Sequence, residues 1–176
     1  MIKLVEAEKN YLKEYQEAYE MSLEKLKQGL MKKHNLMFAD INAVDIIQKI
    51  KDNRDKTKLP EGYVPSYDYF LVDDDRFVGI IHIRTELTKN LMRYGGNIGY
   101  AINPKYWCQG YGTEILRLGL AKAKELGITD KVLITCDDDN IGSSKIIEKN
   151  GGILENKIEN EGSGEHFLTR RYWIKL

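Results

Sequence analysis

The sequence predicts an α+β fold around one mixed sheet, and three observations carry that expectation. The length of 176 residues suits one domain. Apolar and aromatic residues make up 42% against 31% charged, enough to fill a core. The second half runs strand, helix, strand, helix, hairpin. Neither an internal repeat nor a linker divides the chain, so residues 1–176 read as a single domain. Gly 15, Pro 3 and Cys 2 exclude collagen-like, disordered and disulfide-scaffold classes. Because 27 Lys plus Arg balance 27 Asp plus Glu, no global field draws the chain to nucleic acid or to an anionic membrane, and neither is expected as a partner. No apolar run approaches the ~20 residues of a membrane span, and Met1 to Glu8 lacks the basic start and apolar middle of a secretory leader. A cytoplasmic address follows as the expectation.

Taken in order, Ile2 to Val5 is a short strand. Lys9 to Leu30 is an amphipathic helix on which Leu12, Tyr15, Tyr19, Leu23 and Leu26 recur at helical spacing. A second helix is expected from Ala43 to Lys51, with Asp40 or Asn42 as its cap, before a charged loop from Lys51 to Lys58. Pro60, Gly62 and Pro65 mark an irregular stretch. Tyr69 to Val72 and Phe77 to Ile83 then form a hairpin about Asp73-Asp74-Asp75-Arg76. Thr85 to Tyr94 fits neither helix nor strand by pattern, and Asn97 to Ile102 resumes as a strand after Gly95-Gly96. From Gly112 the period becomes helical, with Ile115, Leu116, Gly119, Leu120 and Ala123 on one face and Gly127 as the stop. Val132 to Cys136 is a buried strand, Asn140 to Lys149 a short helix, and Ile153 to Ile158 with Phe167 to Ile174 a last hairpin about Gly162-Ser163-Gly164.

The most informative segment is Asn103-Pro104-Lys105-Tyr106-Trp107-Cys108-Gln109-Gly110-Tyr111-Gly112-Thr113-Glu114, which joins a strand to the start of the strongest helix. Glycines let backbone approach a ligand, and the first unpaired N–H groups of a helix, at its positive dipole end, can cradle a pyrophosphate. An ATP or GTP loop would need Gly-Lys-Ser/Thr, which is absent; a dinucleotide fingerprint would put Gly or Ala where Ile115 stands. Coenzyme A is the remaining nucleotide class.

The segment resembles the acyl-CoA-binding motif of the GNAT acyltransferase superfamily, commonly Gln/Arg-x-x-Gly-x-Gly/Ala before a long helix, with Gly110 and Gly112 in the glycine positions. Trp107 stands where Gln or Arg is usual, and Pro-x-Tyr-Trp-x-x-Gly-Tyr-Gly is similar to loops of the ribosomal-protein N-acetyltransferase-like branch. Asn140 to Gly152 resembles the family's Asn-x-x-Ala/Ser helix and its closing Gly. The likeness covers roughly Tyr69 to the C-terminus. It implies a GNAT-like mixed, mostly antiparallel sheet with helices on both faces and two central parallel strands that splay, here Asn97 to Asn103 and Val132 to Cys136. It implies acetyl-CoA as cosubstrate, Ala101 and Ile102 along the pantetheine, Cys108, Gln109, Gly110, Tyr111, Gly112 and Thr113 at the pyrophosphate, and Asn140, Ser143 and Lys145 on the cofactor's other side.

The activity so implied is N-acetyltransfer to a primary amine, small or peptidic, by direct attack in a ternary complex, without metal. An acceptor ammonium with a pKa near ~10 must lose a proton first. Many relatives carry a Glu for this on the strand before the loop, where this chain has Gly96 and Asn97, and a Tyr seven residues after the motif Asn to protonate the thiolate, where it has Ile147. Replacement candidates are Glu86, Tyr100, His166 and Tyr172, or water relays. A rival reading is a noncatalytic acetyl-CoA sensor that kept the cleft and lost acid and base. Cys108 and Cys136 read as free thiols, and His34 and His82, in no metal-ligand spacing, as surface or half-buried polar residues. Asp73 to Asp75 and Asp137 to Asp139 read as solvated turns or helix starts, or as lures for a cationic acceptor. The chain is expected as a monomer or homodimer.

Overall fold

A computed structural model describes residues 1–160 and 167–176. Seven strands, β1 (Ile2–Val5), β2 (Ser66–Asp73), β3 (Arg76–Arg84), β4 (Ile98–Ile102), β5 (Lys131–Asp137), β6 (Ile153–Asn160) and β7 (Phe167–Lys175), alternate with helices α1 (Leu12–Lys27), α2 (Ile46–Asp52), α3 (Lys89–Arg93), α4 (Tyr111–Glu125) and α5 (Ile141–Lys149). The single expected sheet is found as two, of orders β1-β2-β3-β4 and β5-β7-β6, with every strand pairing antiparallel.

The two sheets meet at one point. Gly96 bridges Ile134, and a side chain on Gly96, whose φ is +63°, would sit 2.3 Å from the Leu133 carbonyl oxygen. Asn97 completes the join: its N–H donates to Leu133 O at 2.7 Å, its Oδ1 accepts from Leu133 N at 2.8 Å, and its Nδ2 donates to Arg84 O at 3.0 Å. Among the described residues no strand pairing beyond this clasp links β4 and β5. The bridge itself is antiparallel, at the Gly95-Gly96 kink. Past it, Asn97 lies against Leu133 and Tyr100 interacts with Cys136, so the two strands advance in the same direction as they part.

Alternation of side chains along the strands gives the four-stranded sheet two cores. Phe70, Val72, Phe77 and Ile80 pack with Tyr15 and Ala18 of α1, Phe38, and Ile46 and Ile50 of α2. On the opposite face Leu71, Val78, Ile81, Ile83 and Ile98 meet Ile115, Leu116 and Ala123 of α4, a core that continues through Val132, Ile134, Ile147 and Tyr172. Helices thus cover both faces. The second helix starts later than its pattern suggests, because Asp40 Oδ1 accepts from Asn42 N to close a separate turn, and Asp45 is the cap, accepting from Gln48 N at 3.0 Å. The ambiguous stretch before Gly95 contains α3, capped by Thr88. The expected turn at Gly162-Ser163-Gly164 lies outside the described residues.

Candidate active site

At the C-terminal end of β4 the chain makes a turn of 3-10 helix, Pro104–Tyr106, capped by Asn103, and enters α4 through Gly110. Trp107 fastens this loop to the strand, its indole N–H donating to Ile102 O at 2.8 Å. Cys108 at φ +60° and Gly110 at φ +88° turn the backbone so that successive amides face outward. Thr113 N and Glu114 N are the first to find a carbonyl, that of Gly110 at 3.0 and 3.2 Å. The N–H groups of Cys108, Gln109, Gly110, Tyr111 and Gly112 have no hydrogen-bond partner among the described residues. A side chain at Gly110 would meet nothing within 4 Å, which is the open approach an anion needs. Gly112 also serves packing: a Cβ there would lie 2.4 Å from Ile146 Cδ1, so the Ile146 side chain of α5 rests on the bare backbone of α4. Tyr111 turns its ring away and donates to Asp73 Oδ2 at 2.8 Å, a bond that raises the phenol's pKa.

The split runs up to this loop. Asn97 O accepts from Arg84 N and Asn103 N donates to Val78 O, so antiparallel alternation directs the backbone of Gly99 and Ala101 toward β3 and that of Ile98, Tyr100 and Ile102 into the split. Across it, α5 begins at Asn140, whose Oδ1 accepts from Ser143 N at 3.0 Å. Asn150 Nδ2 ties the far end of α5 to Thr113 O at 3.2 Å. Lys145 is exposed on α5.

The catalytic candidates do not share one place. Tyr100 lies in the split, its hydroxyl 3.1 Å from Ser143 Oγ, and burial raises its pKa so that it keeps its proton at neutral pH. Tyr172 donates to Glu148 Oε1 at 2.9 Å and is 1% exposed on β7, beneath α5. Glu86 is solvent-exposed and pairs with Lys56 at 3.0 Å. His166 lies outside the described residues. Both aspartate triplets are engaged by the chain's own cations: Asp73 by Arg76 at 3.0 Å, Asp74 by the N-terminal amine, Asp138 by Arg170 at 2.6 Å and Lys157 at 2.7 Å, Asp139 by Lys32 at 2.8 Å. Asp137 is buried and accepts from Asn35 at 3.0 Å, with His34 Nε2 at 2.8 Å, pinning the loop after α1 to the end of β5. Among the described residues no group of His, Cys, Asp and Glu has metal-holding geometry, and no helix is long and apolar enough to cross a membrane.

Two features escaped sequence reasoning. One is the Asn97 clasp, whose only sequence signal is a polar residue heading a strand directly after Gly95-Gly96. The other is His82, which is no stray polar residue: its Nδ1 lies 2.5 Å from Oδ1 of the buried Asp68. Register alone could have paired them, since Asp68 and His82 stand opposite on one hairpin.

A sheet opened beside a row of unpaired amides is suited to a long anionic carrier, and a family model gives the chain its class. It belongs to the acetyltransferase (GNAT) domain family, whose model matches residues 30–153, and is an acetyltransferase by class. No curated protein matches it. The chain is similar in fold to a microcin self-immunity acetyltransferase, MccE, solved with acetyl-CoA and AMP (17% identity, 99% of this chain and 92% of that one, TM-score 0.68). It is also similar to RimL, a ribosomal-protein alpha-N-acetyltransferase solved with coenzyme A (16%, 99% and 94%, 0.70). A third likeness is to a Salmonella typhimurium acetyl transferase that modifies the N-terminal serine of a 50S ribosomal subunit protein (15%, 99% and 95%, 0.65).

Proposed function

We propose that the chain, as a single domain, transfers an acetyl group from acetyl-CoA to a primary amine, by direct attack within a ternary complex. The row of unpartnered amides from Cys108 to Gly112 carries this reading. Its N–H groups would hold the diphosphate oxygens without lysine charge, at the positive end of α4. The outward N–H groups of Ile98, Tyr100 and Ile102 are free to pair with the pantetheine amides; Ala101 contributes its place in the strand rather than its own hydrogen bonds. Tyr100, kept protonated by burial, has a proton for the departing thiolate, whose pKa near ~8.5 makes it a tolerable leaving group.

The acceptor amine would approach from the face covered by α1, α2 and the loop between them, the part of the chain without family motifs. Peptide N-termini, the substrates of two of the ribosomal-protein acetylating neighbours, are one class to test, and small amines the other. Calorimetry with CoA, followed by release of free CoA thiol across a panel of both, tests the reading. Binding that is lost in loop variants together with turnover on any amine supports it. CoA binding with no thiol released by any amine would leave a sensor, and no CoA binding would remove the assignment.

A further inference from the structure

We propose that His82 is the general base of the transfer and Asp68 its positioning residue, a pair that would fill the role left open at Gly96 and Asn97; this rests on the acetyltransfer reading above. Asp68 is 1% exposed, and its carboxylate meets His82 Nδ1 at 2.5 Å, Ser66 Oγ at 3.2 Å and Asn53 Nδ2 at 3.5 Å. A carboxylate held by these contacts fixes the ring's tautomer: Nδ1 carries the hydrogen and donates it to Asp68, which leaves the lone pair of the neutral ring on Nε2. Nε2 has no partner among the described residues.

Its position fits the task. Asp68, His82 and Gly99 stand directly across from one another on β2, β3 and β4. Gly99 contributes no side chain to cover the imidazole, and a Cβ there would meet only Met37 Cε at 3.7 Å. The next residue on β4, Tyr100, turns its backbone into the split. His82 and Asp68 line a cavity of about 60 Å³, roofed by Tyr15 of α1, Met37 and Ala39 of the loop, and Ile46 and Ile50 of α2. That space takes the nitrogen end of an amine with a water beside it. The titratable groups around the pair are Asp68 from β2, Tyr15 from α1, Lys49 from α2, Arg54 just after α2, which donates to Asp68 O at 3.3 Å, and Arg84, two residues along β3, whose charge acts on Asp68; burial raises Tyr15 to about 12, so it stays neutral. A purely structural origin is poorly supported, because burying a carboxylate with a histidine costs desolvation that an apolar pair would avoid.

In the step, Nε2 takes one proton from the acceptor ammonium. The freed amine's lone pair forms the N–C bond as the C–S bond breaks, Tyr100 gives its proton to the thiolate to make CoA thiol and regains one from the acylated nitrogen, and His82 returns its proton to solvent.

The test is His82→Asn, whose side-chain amide can still donate to Asp68 from the Nδ1 position but has no basic nitrogen. With the fastest amine of the panel, kcat should fall about a hundredfold or more while CoA affinity stays within about twofold. The acidic limb of the wild-type pH profile should give way to a rate that rises continuously with hydroxide. Asp68→Asn should displace that limb and lower kcat less. Nitrogen NMR of the wild-type protein should show His82 protonated at Nδ1. An Nε2-protonated ring, or a His82→Asn enzyme with a third of wild-type kcat and the same pH profile, would overturn the assignment while leaving acetyltransfer intact. Wild-type protein that binds CoA and acetylates nothing would remove both.

Discussion

The two faces of the four-stranded sheet would make their halves of the proposed site by different means. Toward α4 and α5 the working parts would be backbone: unpaired amides, an open strand edge and a glycine where two helices meet. Toward α1 and α2 they would be side chains, a histidine and a buried carboxylate under a roof of Tyr15, Met37 and Ile46. Backbone recognition constrains sequence through glycine and turn geometry at fixed spacing, whereas side-chain recognition can be supplied from any strand that reaches the same place. On the proposed reading, that contrast would account for a donor side written in family motifs and an acceptor side without them.

The largest expected effect comes from the residue on which both halves hang. Asn97→Ala removes the acceptor for Leu133 N and the donor to Arg84 O in a buried setting, so denaturant unfolding should show a loss of about 2–4 kcal/mol. Asn97→Asp keeps the acceptor and places a carboxylate against the Arg84 carbonyl, and should recover only part of it. If the alanine variant unfolds like wild type, the sheets are joined by core packing and not by this clasp.

The next effect should separate the halves. Gly112→Val sets a branched side chain against Ile146, 2.4 Å from Cβ to Cδ1, so Ile146 must turn away or α5 must shift beside the amide row. CoA affinity measured by calorimetry should fall about tenfold or more, equivalent to about 1.4 kcal/mol. Asp68→Asn, on the other face, should leave CoA affinity unchanged. Equal losses in the two variants would mean that the faces are not independent.

The same division governs what the sequence reveals. The hairpin about Asp73 to Arg76, the α4 face and the glycine loop are legible because each depends on local periodicity or on turn residues. The single mixed sheet becomes two because pairing between β4 and β5 is decided by a kink at Gly95-Gly96 and one buried side chain, a long-range event that no periodicity encodes. The start of α2 is misplaced by a competing turn at Asp40, and His82 passes as a bland polar residue because its partner lies 14 positions away, across a register visible only once the hairpin is set. The aspartate triplets look alike as charge runs, yet their cations come from distant segments, Lys32 and Arg170 among them.

A third and smaller effect sharpens the side-chain half. Burial pushes the Asp68 carboxyl up, but hydrogen bonding and charge from His82, with Asn53 and Ser66, outweigh it and hold the group below the usual range. A carboxyl depressed in the folded state stabilises that state above its unfolded value near ~4 and loses the contribution as pH falls through the lower folded value. The melting temperature of wild type should therefore drop on acidification below that unfolded value, and Asp68→Asn should remove part of the drop while lowering stability at neutral pH. Parallel curves for the two proteins would show that the carboxylate adds nothing net.

The smallest expected effect compares two thiols, one on each side of the split. Cys108 is exposed in the glycine loop, in a left-handed conformation, whereas Cys136 on β5 is 8% exposed and its thiol is pushed up to about 11, chiefly by burial and against the charge of Arg170. Alkylation needs the thiolate and access to it. Native protein at pH 8 should take up one equivalent of iodoacetamide, at Cys108, and a second only on unfolding, read by peptide mass. CoA should slow labelling of Cys108, since the diphosphate would lie over the same amides, and should leave Cys136 as it was. Labelling of Cys108 at an undiminished rate in saturating CoA would place the diphosphate away from this loop and take the backbone half of the comparison with it.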